Sequence, residues 1–261
     1  MPEGDTVWRA CKRLNQALAG QVLVRTDFRV PSLATTDLSG RQVSEVVARG
    51  KHILMRLSGG VTLHSHFRMD GSWHLYRPGE RWRGGPDHEI RVVLETEPWT
   101  AVGYRLPVLD LVATDKEDSV VGHLGPDLLS PTFDRATAIS NIQSDPARTI
   151  GEALLDQRNL AGIGNFYRVE VCFLLGLHPR RPVADVDVPA AVDLSRKLMK
   201  ANVRNVAQVS TGVDRPGQRS WVFERAGKPC RRCGTTILSE MLGEPTRERV
   251  TYWCPACQPE T

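Results

Sequence analysis

Residues 1–3, Met1-Pro2-Glu3, combine an amine nucleophile with a carboxylate. Removal of Met1 leaves the secondary amine of Pro2 as the chain terminus. An amine attacks an electrophilic carbon only when unprotonated. An α-amino group, with a pKa of about 7.7–8.0, is far nearer that state at neutral pH than a lysine at about 10.4. Bringing a lysine to that level takes a shift of roughly 2.5 units, or about 3.4 kcal/mol of desolvation or like-charge strain. Glu3 could carry protons for the amine. From these residues alone, an ordinary chain terminus with a proline in second place is the other reading.

A second group of residues suits a metal. Cys230-Arg-Arg-Cys233 and Cys254-Pro-Ala-Cys257 stand twenty residues apart. Paired thiols at this spacing suit tetrahedral Zn2+ on a ribbon of two hairpins, the second within residues 234–253. Four ligands leave no open position, so one structural zinc is expected, which supplies folding energy to a unit with little core. A pair of redox dithiols is the alternative. The unit is basic: Arg225, Lys228, Arg231 and Arg232 stand against Glu224, with Arg247 and Arg249 further on. These suit phosphates or a DNA groove; a solvated face is the bland reading. Cys11 and Cys172 fall in apolar patterns and are expected to be buried thiols.

Three further stretches carry polar chemistry. In residues 157–168, Gly162 and Gly164 precede Asn165 where one helix ends and another begins. Glycines allow close backbone approach, and a helix start offers unpaired N–H groups and a positive dipole end. A phosphate suits that turn, with Asn165 as an added donor; a plain helix hairpin would use one glycine. Lys51 follows Gly50 at the start of a strand, a position also open to a solvated lysine. His64-Ser-His66-Phe-Arg68-Met69-Asp70-Gly71 runs from a strand into a turn. Met69 at the turn tip suits wedging between bases, or folds back onto the strands.

The elements that must position these residues fall into two textures. Residues 5–19 read as a helix, capped by Asp5 or Thr6, with Val7, Cys11, Leu14 and Leu18 on its apolar face. Short β runs follow at 22–28, 42–48, 52–57, 61–67, 73–76, 89–95 and 101–111, with Gly59-Gly60 as a hairpin turn, which suggests a sandwich or barrel. Residues 115–132 turn polar and mark a domain boundary. Helical periodicity resumes at 133–143, 149–155, 164–175 and 188–209, with Asp134, Asp145 and Asp187 as caps. Residues 210–220 read as a mobile loop. The apolar fraction of 41% supports a packed core, and a net charge of +4 permits a polyanionic partner without demanding one. No run reaches the roughly 18–20 apolar residues of a membrane span. No signal-peptide layout is evident, and six cysteines do not form a disulfide scaffold. A cytoplasmic protein is expected.

Together, residues 1–5, 49–51, 66–71, 124–127, 156–170 and 222–258 resemble the formamidopyrimidine-DNA glycosylase/endonuclease VIII family of base-excision repair enzymes, in family order along the chain. The resemblance implies a multidomain α and β fold. An N-terminal catalytic β-sandwich with a flanking helix would span 1–115, and a linker 116–132. A helical domain with a helix–two-turn–helix would span 133–220, and a zinc finger 221–261. DNA would lie in the cleft between the domains. The resemblance makes Pro2 the nucleophile on the anomeric carbon of the sugar and Glu3 the general acid/base. Lys51 would contact phosphate or sugar and assist catalysis. Asn165 and Arg249 would clamp phosphates, supported by the Gly162–Gly164 turn. Met69, beside Arg68, would fill the space left by a flipped base. An imine and β,δ-elimination would follow.

Pro-Glu-Gly at the start and Tyr252-Trp253-Cys254-Pro255 resemble the endonuclease VIII branch, which removes oxidised pyrimidines. Residues 102–107 lack the Arg-Phe-Gly of the formamidopyrimidine branch. Two departures stand out: Thr6 where many members of the endonuclease VIII branch have glutamate, and Arg68-Met69-Asp70 in place of that branch's Gln-Leu-Tyr. The expected protein is a monomeric bifunctional DNA glycosylase/AP lyase acting on damaged DNA, with one structural Zn2+ and no membrane association. The rival readings are a non-catalytic damage sensor with the same clamp, an enzyme preferring oxidised purines, and a zinc-ribbon transcription or RNA-binding factor. The last explains the cysteines but neither the N-terminus nor the glycine turn.

Overall fold

A computed structural model describes residues 2–243 and 248–260. Met1 and Arg247, which carried expectations above, lie outside the described residues. The chain forms two compact units. One holds Pro2 and Thr6–His123; the other holds Glu3–Asp5 and the chain from Leu124 onward.

The first unit takes most of helix α1 (Gly4–Leu18). The helix starts ahead of the expected caps, so Asp5 falls inside its first turn, where a carboxylate suits the positive helix end. Val7, Cys11, Leu14 and Leu18 are buried, as their spacing predicts. Eight strands follow: β1 (Arg25–Phe28), β2 (Val43–Arg49), β3 (His52–Leu57), β4 (Val61–His66), β5 (Ser72–Tyr76), β6 (Ile90–Glu95), β7 (Thr100–Tyr104) and β8 (Val108–Ala113). They make two antiparallel four-stranded sheets, ordered β1-β6-β7-β5 and β2-β3-β4-β8. Gly59 and Gly60 join β3 to β4 with φ of 81° and 70°, the primed geometry of a tight hairpin. Leu14, Leu18, Ile53, Met55, Leu63, Val92 and Leu94 share one core between the sheets and α1.

The apolar run 101–111, expected as one strand, is two strands in different sheets. Arg105 takes a φ of 48° between them, and Pro107 has no N–H to offer a ladder. The stretch expected to be a linker carries a short helix, α2 (Asp118–Val121). Just before it, Glu117 accepts hydrogen bonds from Arg56 Nε and Nη2 at 2.8 and 2.7 Å and from Thr62 Oγ1 at 2.7 Å, which covers the polar face of the second sheet.

The second unit contains α3 (Arg135–Gln143), α4 (Ile150–Leu155), α5 (Asn165–Leu174) and α6 (Val188–Asn202), then the hairpin β9 (Leu238–Leu242) and β10 (Arg249–Trp253). Asp134 and Asp187 cap α3 and α6 through the amides of Thr137 and Ala190, each at 3.0 Å. Asp145 does not cap α4. Thr149 does, with Oγ1 accepting from Glu152 N at 3.3 Å and donating to the Glu152 carboxylate at 2.5 Å. Helix α6 stops short of the expected residue 209 because the Asn202 side chain turns back on the chain. It donates to Leu198 O and Val209 O and accepts from Val209 N at 2.8 Å.

Residues 210–220, read as a mobile loop, are braced at their base by Ser210 N to Arg219 O and Thr211 Oγ1 to Gln218 O. The buried Glu170 carboxylate accepts from the amides of Trp221, Val222 and Phe223 at 2.8–2.9 Å and from Ser210 Oγ, joining this loop to α5.

The two cap assignments separate by mutation. Thr149→Ala is expected to cost about 1 kcal/mol and to lower the thermal midpoint by about 2–4 °C. Asp145→Ala is expected to leave it within about 0.5 kcal/mol in parallel thermal denaturation.

Candidate active site

The Gly162–Gly164 turn receives an anion, and that anion is the protein's own. Glu3 Oε2 accepts from Gly164 N at 2.6 Å and Oε1 accepts from Phe166 N at 2.8 Å. The carboxylate, fully buried, sits on unpaired amides at the positive end of α5. The turn expected to hold a phosphate carries the Glu3 carboxylate on its amides, as a buried carboxylate must find donors. Gly4 N donates to Gly162 O at 2.9 Å and fixes the approach. Gly162 has a φ of 107°, which excludes a side chain without strain. At Gly164 a Cβ would lie 2.5 Å from Glu3 Cδ, so glycine is required there by the carboxylate. Gln157 shapes the turn, donating to Leu155 O and Ile163 O and accepting from Gly162 N.

Asn165 is buried and faces the hairpin. Its Nδ2 donates to Val250 O at 2.8 Å, and its Oδ1 accepts from Arg168 Nη2 at 2.5 Å. Arg168, wholly buried, also reaches Thr251 Oγ1 at 2.6 Å. Two consecutive residues of β10 are thereby bound to α5. Arg249, one residue before Val250, is exposed at the strand start. The four cysteines lie beyond. Cys233 and Cys254 sulfurs are 3.4 Å apart, Cys230 and Cys257 sulfurs 4.0 Å, and all four lie within 4.8 Å. Tetrahedral zinc with Zn–S near 2.3 Å requires sulfurs about 3.8 Å apart, so the donor set fits the ion. The distances far exceed the roughly 2.05 Å of a disulfide. Cys11 and Cys172 are buried, as expected, and burial pushes the Cys172 thiol up to about 12.

In the first unit, Lys51 lies in the turn between β2 and β3 after Gly50, whose φ is 59°. Lys51 and Arg68 stand near His66, and desolvation together with their charges holds that imidazole down to about 4. His66 Nδ1 accepts from Arg68 N at 2.8 Å. That contact bends the chain into the left-handed region at Arg68, φ 50°, and the turn presents Met69, 58% exposed. Met69 therefore points outward instead of folding back on the strands. His52, His64 and His123 extend this cluster: the His52 Nδ1 and His64 Nε2 atoms share a hydrogen bond at 2.8 Å, and His123 meets His52 edge-on. Burial first, then the neighbouring imidazoles and Arg68, pull His52 down to about 3.

The contacts thus bring Lys51, Arg68 and Met69 together in the first unit, and Glu3, Gly162, Gly164, Asn165 and the cysteine hairpin bearing Arg249 in the second. Sequence reasoning missed two features: the histidine cluster and Arg168. The signal for the first is His52 and His66 as cross-strand partners with His64 two residues along. For the second it is a charged side chain three positions after Asn165 on a helix that is otherwise apolar apart from Glu170.

Residues 1–107 match the formamidopyrimidine-DNA glycosylase N-terminal domain, and residues 124–213 the H2TH domain of the same enzymes. The probable endonuclease 8 2 of Streptomyces coelicolor is 56% identical over 261 residues, covering 99% of this chain and 94% of that protein. The chain belongs to the formamidopyrimidine-DNA glycosylase family. Membership makes it an enzyme of DNA repair, with the glycosylase and lyase chemistry of the family. A Mycolicibacterium smegmatis relative named DNA-(apurinic or apyrimidinic site) lyase Nei2 is 44% identical over 259 residues, covering 99% of each chain. The family fold is also seen in Lactococcus lactis Fpg bound to abasic-site DNA, with a TM-score of 0.82 at 21% identity over 98% of this chain and 99% of that one. Among the described residues, no helix is long and apolar enough to cross a membrane.

The histidine cluster predicts a pH effect on stability. Above pH 6.5 the rings are neutral in both folded and unfolded chains. Below that, the unfolded chain binds protons that the fold resists until about pH 4 at His66 and about 3 at His52. Stability is therefore fully present above pH 6.5 and lost as pH falls. Thermal melts between pH 7 and 4.5 are expected to fall less steeply for His52→Gln than for wild type; parallel slopes would exclude the cluster as the cause.

Proposed function

We propose that the chain is a bifunctional DNA glycosylase and AP lyase that removes oxidised pyrimidines in preference to oxidised purines. With Met1 removed, the Pro2 nitrogen attacks the anomeric carbon of the damaged nucleotide, and the base leaves with a proton. The ring oxygen is protonated as the sugar opens, leaving a cationic imine between Pro2 and that carbon. Loss of a proton from the adjacent carbon then expels the 3′ phosphate, and a second elimination expels the 5′ phosphate. Water finally releases the sugar fragment and returns the amine. Glu3 carries these protons as general acid/base. Lys51 meets the phosphate or sugar at the lesion, and Asn165 and Arg249 hold flanking phosphates. An amide nitrogen has two N–H groups; Val250 O takes one from Asn165, leaving the other for a phosphate. Met69, with Arg68 beside it, fills the space left by the flipped base.

The observation that carries this reading is the Glu3 carboxylate, fully buried on the Gly164 and Phe166 amides and covalently next to Pro2. A structural carboxylate has no need of a neighbouring terminal amine; an imine-forming enzyme needs both. The pyrimidine preference is supported by the endonuclease 8 names of relatives. It is supported also by the turn after β7, where Tyr104 and Leu106 are buried and Arg105 is engaged with Glu89 and Asp70 O. The one long polar side chain of that turn, Arg105, is thus engaged within the protein. Zn2+ on Cys230, Cys233, Cys254 and Cys257 would be structural, fixing the fold of the hairpin that bears Arg249. Damaged DNA is the partner, bound by a monomer.

Borohydride trapping on abasic-site DNA is expected to attach the processed wild-type protein covalently. Pro2→Gly should weaken trapping, and Glu3→Gln and Gly164→Ala should each lower strand cleavage by about 100-fold or more. Intact protein that binds this DNA without trapping would be a damage sensor. On duplexes bearing single lesions, oxidised pyrimidines are expected to be cut fastest; cleavage confined to oxidised purine opposite cytosine would overturn the branch assignment.

A further inference from the structure

Arg168 is wholly buried in α5, yet only Nη2 of its guanidinium is well served. That nitrogen donates to Asn165 Oδ1 at 2.5 Å, Thr251 Oγ1 at 2.6 Å and, longer, Val250 O at 3.3 Å. Nε and Nη1 are buried without hydrogen-bond partners. Burial pulls the group down only to about 10, so it stays charged at neutral pH, with the Glu3 charge among those that favour its protonated form. A buried cation with unused donors is a poor way to stabilise a helix, since an apolar side chain of similar volume is often neutral or better there.

What the guanidinium does determine is orientation. The Asn165 amide can take two orientations related by a flip. With Arg168 donating to Oδ1, only the orientation with Nδ2 toward Val250 O and the hairpin is satisfied. The reverse orientation would set two donors against each other at Arg168 and turn an acceptor toward an incoming phosphate. The same Nη2 grips Thr251 in β10, two residues from Arg249. We propose that Arg168 is a positioning residue: it locks the Asn165 amide with its donor outward and holds β10, so that Asn165 and Arg249 act as one phosphate clamp. It never touches DNA itself, being fully buried. This inference rests on the phosphate-binding role proposed for Asn165.

The test is a double-mutant cycle. Equilibrium binding to DNA bearing a tetrahydrofuran abasic analogue is measured over a salt series for wild type, Arg168→Met, Asn165→Ala and the double variant. Single-turnover cleavage at saturating abasic DNA is measured alongside. Arg168→Met is expected to weaken binding about 10-fold or more and, because β10 is no longer held, to lower the salt slope by about 1, the signature of one lost cationic contact, that of Arg249. The saturating rate should change less than about 3-fold, and zinc content should stay at one per chain. Adding Asn165→Ala should cost less than about 2-fold more, because the amide is already misdirected. Arg168→Lys, which keeps a donor, should recover part of the affinity. Losses that multiply in the double variant, or an unchanged salt slope in Arg168→Met, would overturn the positioning role. Asn165→Ala that binds as tightly as wild type would instead overturn the phosphate reading of Asn165. If Arg168→Met does not fold, the same cycle with Arg168→Gln, whose amide does not force one orientation on Asn165, gives the same readout.

Discussion

A carboxylate on two backbone amides is the interaction on which the rest of this structure depends. Glu3 reaches the N-terminus of α5, where helix geometry leaves N–H groups unpaired and partial positive charge concentrated. Both halves of that pairing are demanding. A buried carboxylate without donors costs several kcal/mol, and a buried helix start without acceptors carries a similar penalty. Each satisfies the other only if position 164 has no side chain. The chain start is thereby bound to a turn more than 150 residues away, and Pro2 is delivered with it as the covalent neighbour of Glu3.

The helix start is already filled by an internal anion, so under the proposed function phosphates would be met by side chains around it. In that proposal Asn165 and Arg249 are the groups that would do so, one on the helix and the other on the hairpin. Arg168 ties the helix to the hairpin through Asn165 and Thr251, at the cost of a buried guanidinium with two idle nitrogens. The cysteine cluster belongs to the same economy of support. A hairpin of two five-residue strands has too little core to hold its own register, and four thiolates on one ion would supply what is missing. The first unit uses a different device. A neutral imidazole at His66 accepts from Arg68 N, turning the chain outward at Met69.

Much of this was legible in the sequence, and the failures have physical causes. Paired thiols at fixed spacing, apolar residues at helical spacing in α1, and glycines ahead of Asn165 all report local rules, and each fell where expected. The family resemblance extended these to a fold and an enzyme class. What misled were tertiary overrides. Asp145 is as good a capping residue as Thr149 in isolation, but only Thr149 has a glutamate three residues on whose carboxylate meets its side chain. The run 101–111 has continuous β character, and nothing local says that it changes sheets at Arg105. The glycine turn was read as a phosphate site; the carboxylate that sits on its amides comes from residue 3, a pairing with no local signature. Arg168 and the histidine cluster were passed over because an ionisable residue looks exposed until its neighbours are known.

The central claim is that the amine beside this buried carboxylate is the one that meets the sugar. Peptide mass mapping of the borohydride-trapped complex tests it most directly. The account predicts the reduced sugar fragment on the N-terminal peptide, beginning at Pro2 with Met1 removed and modified on the proline nitrogen. A trapped adduct mapped to a lysine, Lys51 above all, with an unmodified Pro2 peptide alongside, would contradict it.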